Sequence, residues 1–233
     1  MNSLIDELNM SADPIRAVGS ARFFKAVPGG YGEGDKFIGL TMPQIRSIAK
    51  PYRHYTLDEL ETVLKSPIHE HRMAALVILS DTYSKRDDQG KKDSYELYLR
   101  GLKKGLINNW DFVDITAPHI VGEYVRENGP DILYELATSS NIWERRTAIL
   151  STLAFLKIGD CFHTIKLSEI LLNDTHDLMH KAVGWLLREA GKRVGEKVLT
   201  DFLDIHSKQM PRTMLRYSIE RLSPEQKAQY MHR

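Results

Sequence analysis

Apolar residues recur along the chain at intervals of three and four, as at Leu57, Leu60, Val63 and Leu64, whereas strict alternation with β-branched residues is nearly absent. The pattern predicts helices almost throughout. Residues 2–8 read as a short helix, and Ser11-Ala12-Asp13-Pro14 reads as the cap and first turn of a helix reaching about Ala26. Thr41-Met42-Pro43 and Thr56-Leu57-Asp58-Glu59 open two more, which end near Arg53 and Lys65. Further helices are expected at about 69–84, 93–104, 110–127, 130–139, 143–156, 162–172, 177–194, 196–207, 211–221 and 224–232. The one long irregular stretch, 27–39, carries four glycines between Gly29 and Gly34. It does not follow a strand, so a nucleotide-binding glycine loop is a weak reading. Shaping the mouth of a groove and touching a ligand are both open for it.

The helices are self-similar. Arg72-Met-Ala-Ala-Leu, Phe112-Val-Asp-Ile-Thr, Arg146-Thr-Ala-Ile-Leu, Lys181-Ala-Val-Gly-Trp and Thr213-Met-Leu-Arg-Tyr share a character. Anchors at Ala74, Val113, Ala148, Val183 and Leu215 lie about 32 to 39 residues apart, the period of two-helix repeats. Such a unit cannot bury its own apolar face and must stack on its neighbours. The expected architecture is an all-α solenoid of degenerate HEAT-like repeats in one domain, 1–233. It is expected to be curved, with one helix of each pair lining a concave, basic groove.

Composition agrees with a core that needs no staple: 233 residues, 42% hydrophobic and 27% charged. The lone cysteine, Cys161, excludes a disulfide framework and a cysteine-rich zinc site. The first residues lack a positive region followed by an apolar run, and no segment approaches the roughly 18 apolar residues of a membrane span. A cytoplasmic setting is therefore expected. The nine histidines are scattered, and His69 and His71 do not share a helix face, so no metal or organic cofactor is expected. A net charge of +1 excludes a strongly basic coat but allows a local basic patch.

Candidate chemistry begins at Asn109-Trp110-Asp111-Phe112-Val113-Asp114. Asn109 is a good N-cap, and Asp111 puts negative charge in the first turn, where the helix dipole favours it. Trp110 and Asp114 are four apart and share a face. An indole beside a carboxylate could receive something flat and positively charged. It could also be a packing anchor beside a solvated or locally paired acid, for instance one paired with Arg146. All three tryptophans fall on the repeat helices that would line the groove. Trp143 is joined there by Arg145 and Arg146, and Trp185 by Lys181 and Arg188. Trp143 and Trp185 also read as core positions. Basic residues lean to the C-terminal half, where Lys181, Arg188, Lys192, Arg193, Lys197, Lys208, Arg212, Arg216 and Arg221 suit a phosphate backbone or a solvated face.

At these residues the sequence resembles the AlkD-like DNA alkylation repair family of HEAT-like repeat DNA glycosylases, over about residues 13–225. The motifs that carry the resemblance are Trp-Asp-Phe-Val-Asp at 110–114, Asn-Ile-Trp-Glu-Arg-Arg-Thr-Ala-Ile-Leu at 141–150 and Lys-Ala-Val-Gly-Trp-Leu-Leu-Arg-Glu at 181–189. The loop at 31–39 also resembles the broad bacterial branch. The resemblance implies Asp114 as the catalytic carboxylate, Arg146 as the active-site arginine, and Trp110 and Trp185 as aromatics flanking the damaged nucleotide. Phe23 stands where a tyrosine can sit in relatives, and lacks its hydroxyl. Arg145, Lys181 and Arg188 are candidate DNA contacts. The implied activity is excision of positively charged N3- and N7-alkylated purines from double-stranded DNA, without a cofactor and without flipping the base. A monomer suffices for this. Two other classes stay open on the same scaffold: a DNA-structure binder without catalysis, and a protein-binding solenoid.

Overall fold

Polar caps and prolines set the helix starts. The computed structural model describes residues 3–232, so Asn2, at the expected start of the first helix, lies outside them. Ser3 and Asp6 close a reciprocal capping box on α1 (Leu4–Met10), and Asp13 caps α2 (Pro14–Phe23), whose first residue is proline. Among the described residues every regular element is helical, apart from one isolated parallel bridge between Lys36 and Ile68. No helix among them is long and apolar enough to cross a membrane. The chain forms two compact units, Met1–Thr116 and Ala117–Arg233.

The first unit continues with α3 (Met42–Ala49), a 3₁₀ turn at Lys50–Tyr52, α4 (Leu57–Leu64), α5 (His69–Tyr83), α6 (Asp88–Lys103) and α7 (Trp110–Thr116). Nearly every side chain of α5 is buried, as befits a helix enclosed on all sides. α3 and α7 pack on α5 in one layer, and α4 and α6 pack together in the other. That is the two-layer stacking the repeat anchors Ala74 and Val113 imply. Helix α6 starts five residues earlier than expected, because Asp87 caps it through the Gly90 N–H.

The glycine-rich stretch is ordered by the first unit itself. The Glu70 carboxylate accepts from the N–H groups of Ile38, Gly39 and Leu40, at 3.0, 2.8 and 3.3 Å. Asp13 donates its N–H to the Ile38 carbonyl at 2.8 Å. Gly39 is required here: its φ is +84°, and a Cβ would stand 2.2 Å from the Asp13 carbonyl oxygen.

The second unit opens on a π turn, Pro118–Gly122, where the sequence pattern predicts one unbroken helix over 110–127. Pro118 has no N–H to continue the ladder, and Gly122 instead donates to the Ala117 carbonyl five residues back. Then follow α8 (Glu123–Asn128), α9 (Asp131–Ala137), α10 (Ile142–Ser151), α11 (Leu153–Leu156), α12 (Phe162–Ile170), α13 (Asp177–Arg193), α14 (Glu196–His206), α15 (Arg212–Ser218) and α16 (Pro224–Met231). α10, α13 and α15 stack in series, and α9 packs on α12 beside them. The anchors Ala148, Val183 and Leu215 sit on those three stacked helices, so the repeat register holds in this unit too. Gly184 lets α13 and α15 approach closely, since a Cβ there would stand 2.4 Å from the Met214 carbonyl oxygen of α15.

Candidate nucleic-acid interface

In the first unit the candidate residues gather around the start of α7. Asn109 is buried, and its Oδ1 accepts the Trp110 N–H at 2.9 Å. Trp110 is half-buried and stacks on Phe24, with ring centroids 5.5 Å apart and planes at 28°. Phe23 meets its edge at 5.8 Å and leaves 64% of its own surface to solvent. Phe23, Phe24 and Trp110 therefore form one aromatic platform, two rings from the end of α2 and one from α7. Asp114 is half-buried one turn after Trp110. The shared face expected from the four-residue spacing is realised.

Beneath the platform lies a polar network that the sequence reading did not assemble. His69, the first residue of α5, sits between two carboxylates: Nδ1 is 3.2 Å from Asp35 Oδ2, and Nε2 is 2.8 Å from Asp111 Oδ2. Asp35 also accepts from Arg72 at 2.6 Å and from the Asn108 amide at 2.9 Å. Arg72 donates further to Asn108 Oδ1 and to the Leu106 carbonyl, at 2.7 and 3.0 Å. The imidazole is covered by Phe112 at 4.1 Å, Phe37 at 4.7 Å and Phe24 at 4.8 Å. Burial alone would lower the His69 pKa, but the bonds and charges of Asp111 and Asp35 outweigh it and raise the pKa above the ordinary histidine value. For Asp35, burial acts to raise the pKa, and the His69, Arg72 and Asn108 interactions hold it below the usual carboxylate range. Asp111 stands in the first turn of α7 as expected, and it is also buried and bound to His69. One signal in the sequence pointed here: His69-Glu70-His71-Arg72 is a polar run at the head of an otherwise apolar, enclosed helix.

In the second unit, Arg146 is buried on α10, and its Nη1 donates to the Leu178 carbonyl at 2.5 Å. Trp143 is buried, with its N–H on Asn141 Oδ1 at 2.9 Å, and occupies a core position. Arg145 points elsewhere. Its guanidinium binds Asp174 at 2.6 Å and the carbonyls of Ser139 and Ser140 at 2.8 and 3.0 Å, which ties α10 to the segment before α13. On α13, Trp185 is half-buried and shares a face with Lys181 and Arg188. Lys181 pairs with Asp177 at 2.6 Å, and Arg188 pairs with Glu220. A cleft of about 600 Å³ along this face is lined by Lys181, Thr213, Arg216 and Tyr217 with Asp177 and Glu220. A second cleft of about 460 Å³ brings in Arg188, Lys192 and Arg221. Among the described residues no group of three or more His, Cys, Asp or Glu side chains is placed to hold a metal ion.

The family described as "DNA alkylation repair enzyme" matches this chain over residues 4–222. No curated protein gives a significant match. A solved structure described as a predicted DNA alkylation repair enzyme from Enterococcus faecalis is similar in fold, with a TM-score of 0.70 at 15% identity over 91% of this chain and 97% of that one.

Proposed function

Because this chain belongs to the DNA alkylation repair enzyme family, we propose that it is a DNA glycosylase. It would release positively charged N3- and N7-alkylated purines from double-stranded DNA, without a cofactor and without extruding the base. The observation that carries this reading is the pairing on α7 of Trp110, backed by Phe24 and edged by Phe23, with a carboxylate, Asp114, one turn away.

The chemistry suits that pairing. Alkylation at N3 or N7 makes the purine a cation and hence a good leaving group. As the C1′–N bond breaks, the base departs with the electron pair as a neutral alkylpurine. Positive charge then develops on the deoxyribose, and a fixed carboxylate stabilises it. Water adds at C1′ and gives its proton to Asp114 as general base, leaving an abasic site. The aromatic platform offers π faces to a cation, each worth about 0.5–2 kcal/mol. Arg146 and Trp185 are assigned to the lesion-bearing strand on the family resemblance, and Lys181 and Arg188 to its phosphates on that resemblance and as cationic side chains lining the two clefts. Incubating the protein with methylated duplex DNA and measuring free alkylpurine tests the reading. DNA binding without base release would replace it with the non-catalytic alternative.

A further inference from the structure

Three segments distant in sequence meet at one imidazole: Asp35 from the glycine-rich loop, His69 from the head of α5 and Asp111 from the first turn of α7. The His69 and Asp35 side chains are 3% and 5% exposed. A neutral imidazole carries a proton on only one ring nitrogen. Here each ring nitrogen faces a carboxyl oxygen, so with both carboxyl groups ionised the two contacts are hydrogen bonds only when the ring is an imidazolium. The charged groups facing it are Asp35 from the loop, Asp111 from α7 and, joined through Asp35, Arg72 of α5 itself. With His69 protonated, two cations balance two carboxylates. Without that proton the buried cluster keeps a net negative charge, and one carboxylate confronts a ring lone pair, an arrangement that burial makes costly.

What this cluster holds is the start of α7. Asp111 binds His69, the preceding Asn108 binds both Asp35 and Arg72, Phe112 covers the imidazole, and Trp110 rests on Phe24, which also touches the imidazole. Gly32 seats the loop against this turn, since a Cβ there would stand 2.3 Å from the Phe24 carbonyl oxygen and 3.1 Å from Asn109 Nδ2.

We propose that His69 is a positioning residue whose imidazolium pins the first turn of α7 to α5 and to the glycine-rich loop, and so sets the placement of Trp110 and Asp114. The pinning stands on the first unit alone; its effect on base release rests on the glycosylase reading. When His69 loses its proton, one of the two links fails, the turn loosens, and the rate of base release falls.

The test uses the full chain and three readouts over one pH range: the His69 ring resonances in NMR, identified with His69→Gln; the indole N–H resonance of Trp110; and single-turnover release of 7-methylguanine from methylated duplex DNA. The three midpoints are expected to coincide. Asp111→Asn is expected to move all three to lower pH together, by about one unit or more for loss of an adjacent opposite charge. If Asp111→Asn does not fold, Asp35→Asn provides the same comparison. The proposal is overturned if His69 deprotonates while Trp110 and the rate stay unchanged, or if the variant shifts His69 alone. Absence of base release at every pH refutes the glycosylase reading only; coincidence of the His69 and Trp110 midpoints then decides the positioning role.

Discussion

The indole of Trp110 lies on the ring of Phe24, centroids 5.5 Å apart, and Phe24 in turn stacks on Phe37 at 5.4 Å. Trp110 is thus one end of a stack that runs down to His69 and Phe112. Phe24→Ala removes the middle of that stack. Phe24 is half-buried, so the expected loss of stability is about 2–3 kcal/mol, at or below the low end of a fully buried phenylalanine truncation. Base release should fall more than the lost stability explains, because Trp110 loses its support. Urea unfolding combined with single-turnover kinetics checks both; kinetics unchanged after correction for the folded fraction would contradict the platform.

Much of this fold is legible in the sequence because local rules govern it. The anchors Ala74, Val113, Ala148, Val183 and Leu215 mark helices that do stack within each unit. Ser3, Asp13, Thr56 and Asn141 cap helices at or near the expected starts. Trp110 and Asp114 share a turn as their spacing requires. Less legible are features set by partners far along the chain. Asp35 lies 34 residues from His69, and Asp111 lies 42 residues away on the other side, so no spacing rule joins them. The bonds of Glu70 to the loop backbone at 38–40 are equally remote. The break at Pro118 was readable from its missing N–H, but the apolar period runs through it and masks the break.

Stability should depend on pH through His69 and Asp35, in opposite senses. His69 has a raised pKa in the folded state, so the stability it contributes is fully present below its unfolded pKa and is lost as pH rises through the folded one. Asp35 has a lowered pKa, so its contribution is present above its unfolded pKa and is lost as pH falls through the folded one. Urea midpoints measured against pH are therefore expected to decline through His69 as pH rises above the ordinary histidine value, and through Asp35 as pH falls below the usual carboxylate range. His69→Gln should remove the decline seen as pH rises; an unchanged slope there in that variant would contradict the assignment.

Arg146 is buried and donates to the Leu178 carbonyl. Arg146→Ala is expected to weaken both duplex binding and base release by about tenfold or more, roughly 1.4 kcal/mol each. Arg146→Lys should restore neither, because a lysine is a point charge without the guanidinium fork. Gel-shift and excision assays on the folded variants test this, and normal values in both would remove Arg146 from the site.

Lys181, Arg188, Lys192, Arg216 and Arg221 line the two clefts of the second unit. If they meet phosphates, the logarithm of the duplex binding constant should fall linearly with the logarithm of salt, with a slope near −0.9 per phosphate neutralised. Replacing both Lys192 and Arg221 by Gln should reduce that slope by about 2. A flat response to salt would direct attention to a protein partner instead.

On the proposed mechanism Asp114 acts on the breaking bond. A comparison of wild type with Asp114→Asn on duplex DNA carrying 7-methylguanine, following free 7-methylguanine in single turnover and duplex affinity in parallel, tests that role. The variant keeps the shape of the side chain and removes its charge. Release is expected to fall by about 10² or more while affinity changes little. Release at the wild-type rate by Asp114→Asn would contradict the account.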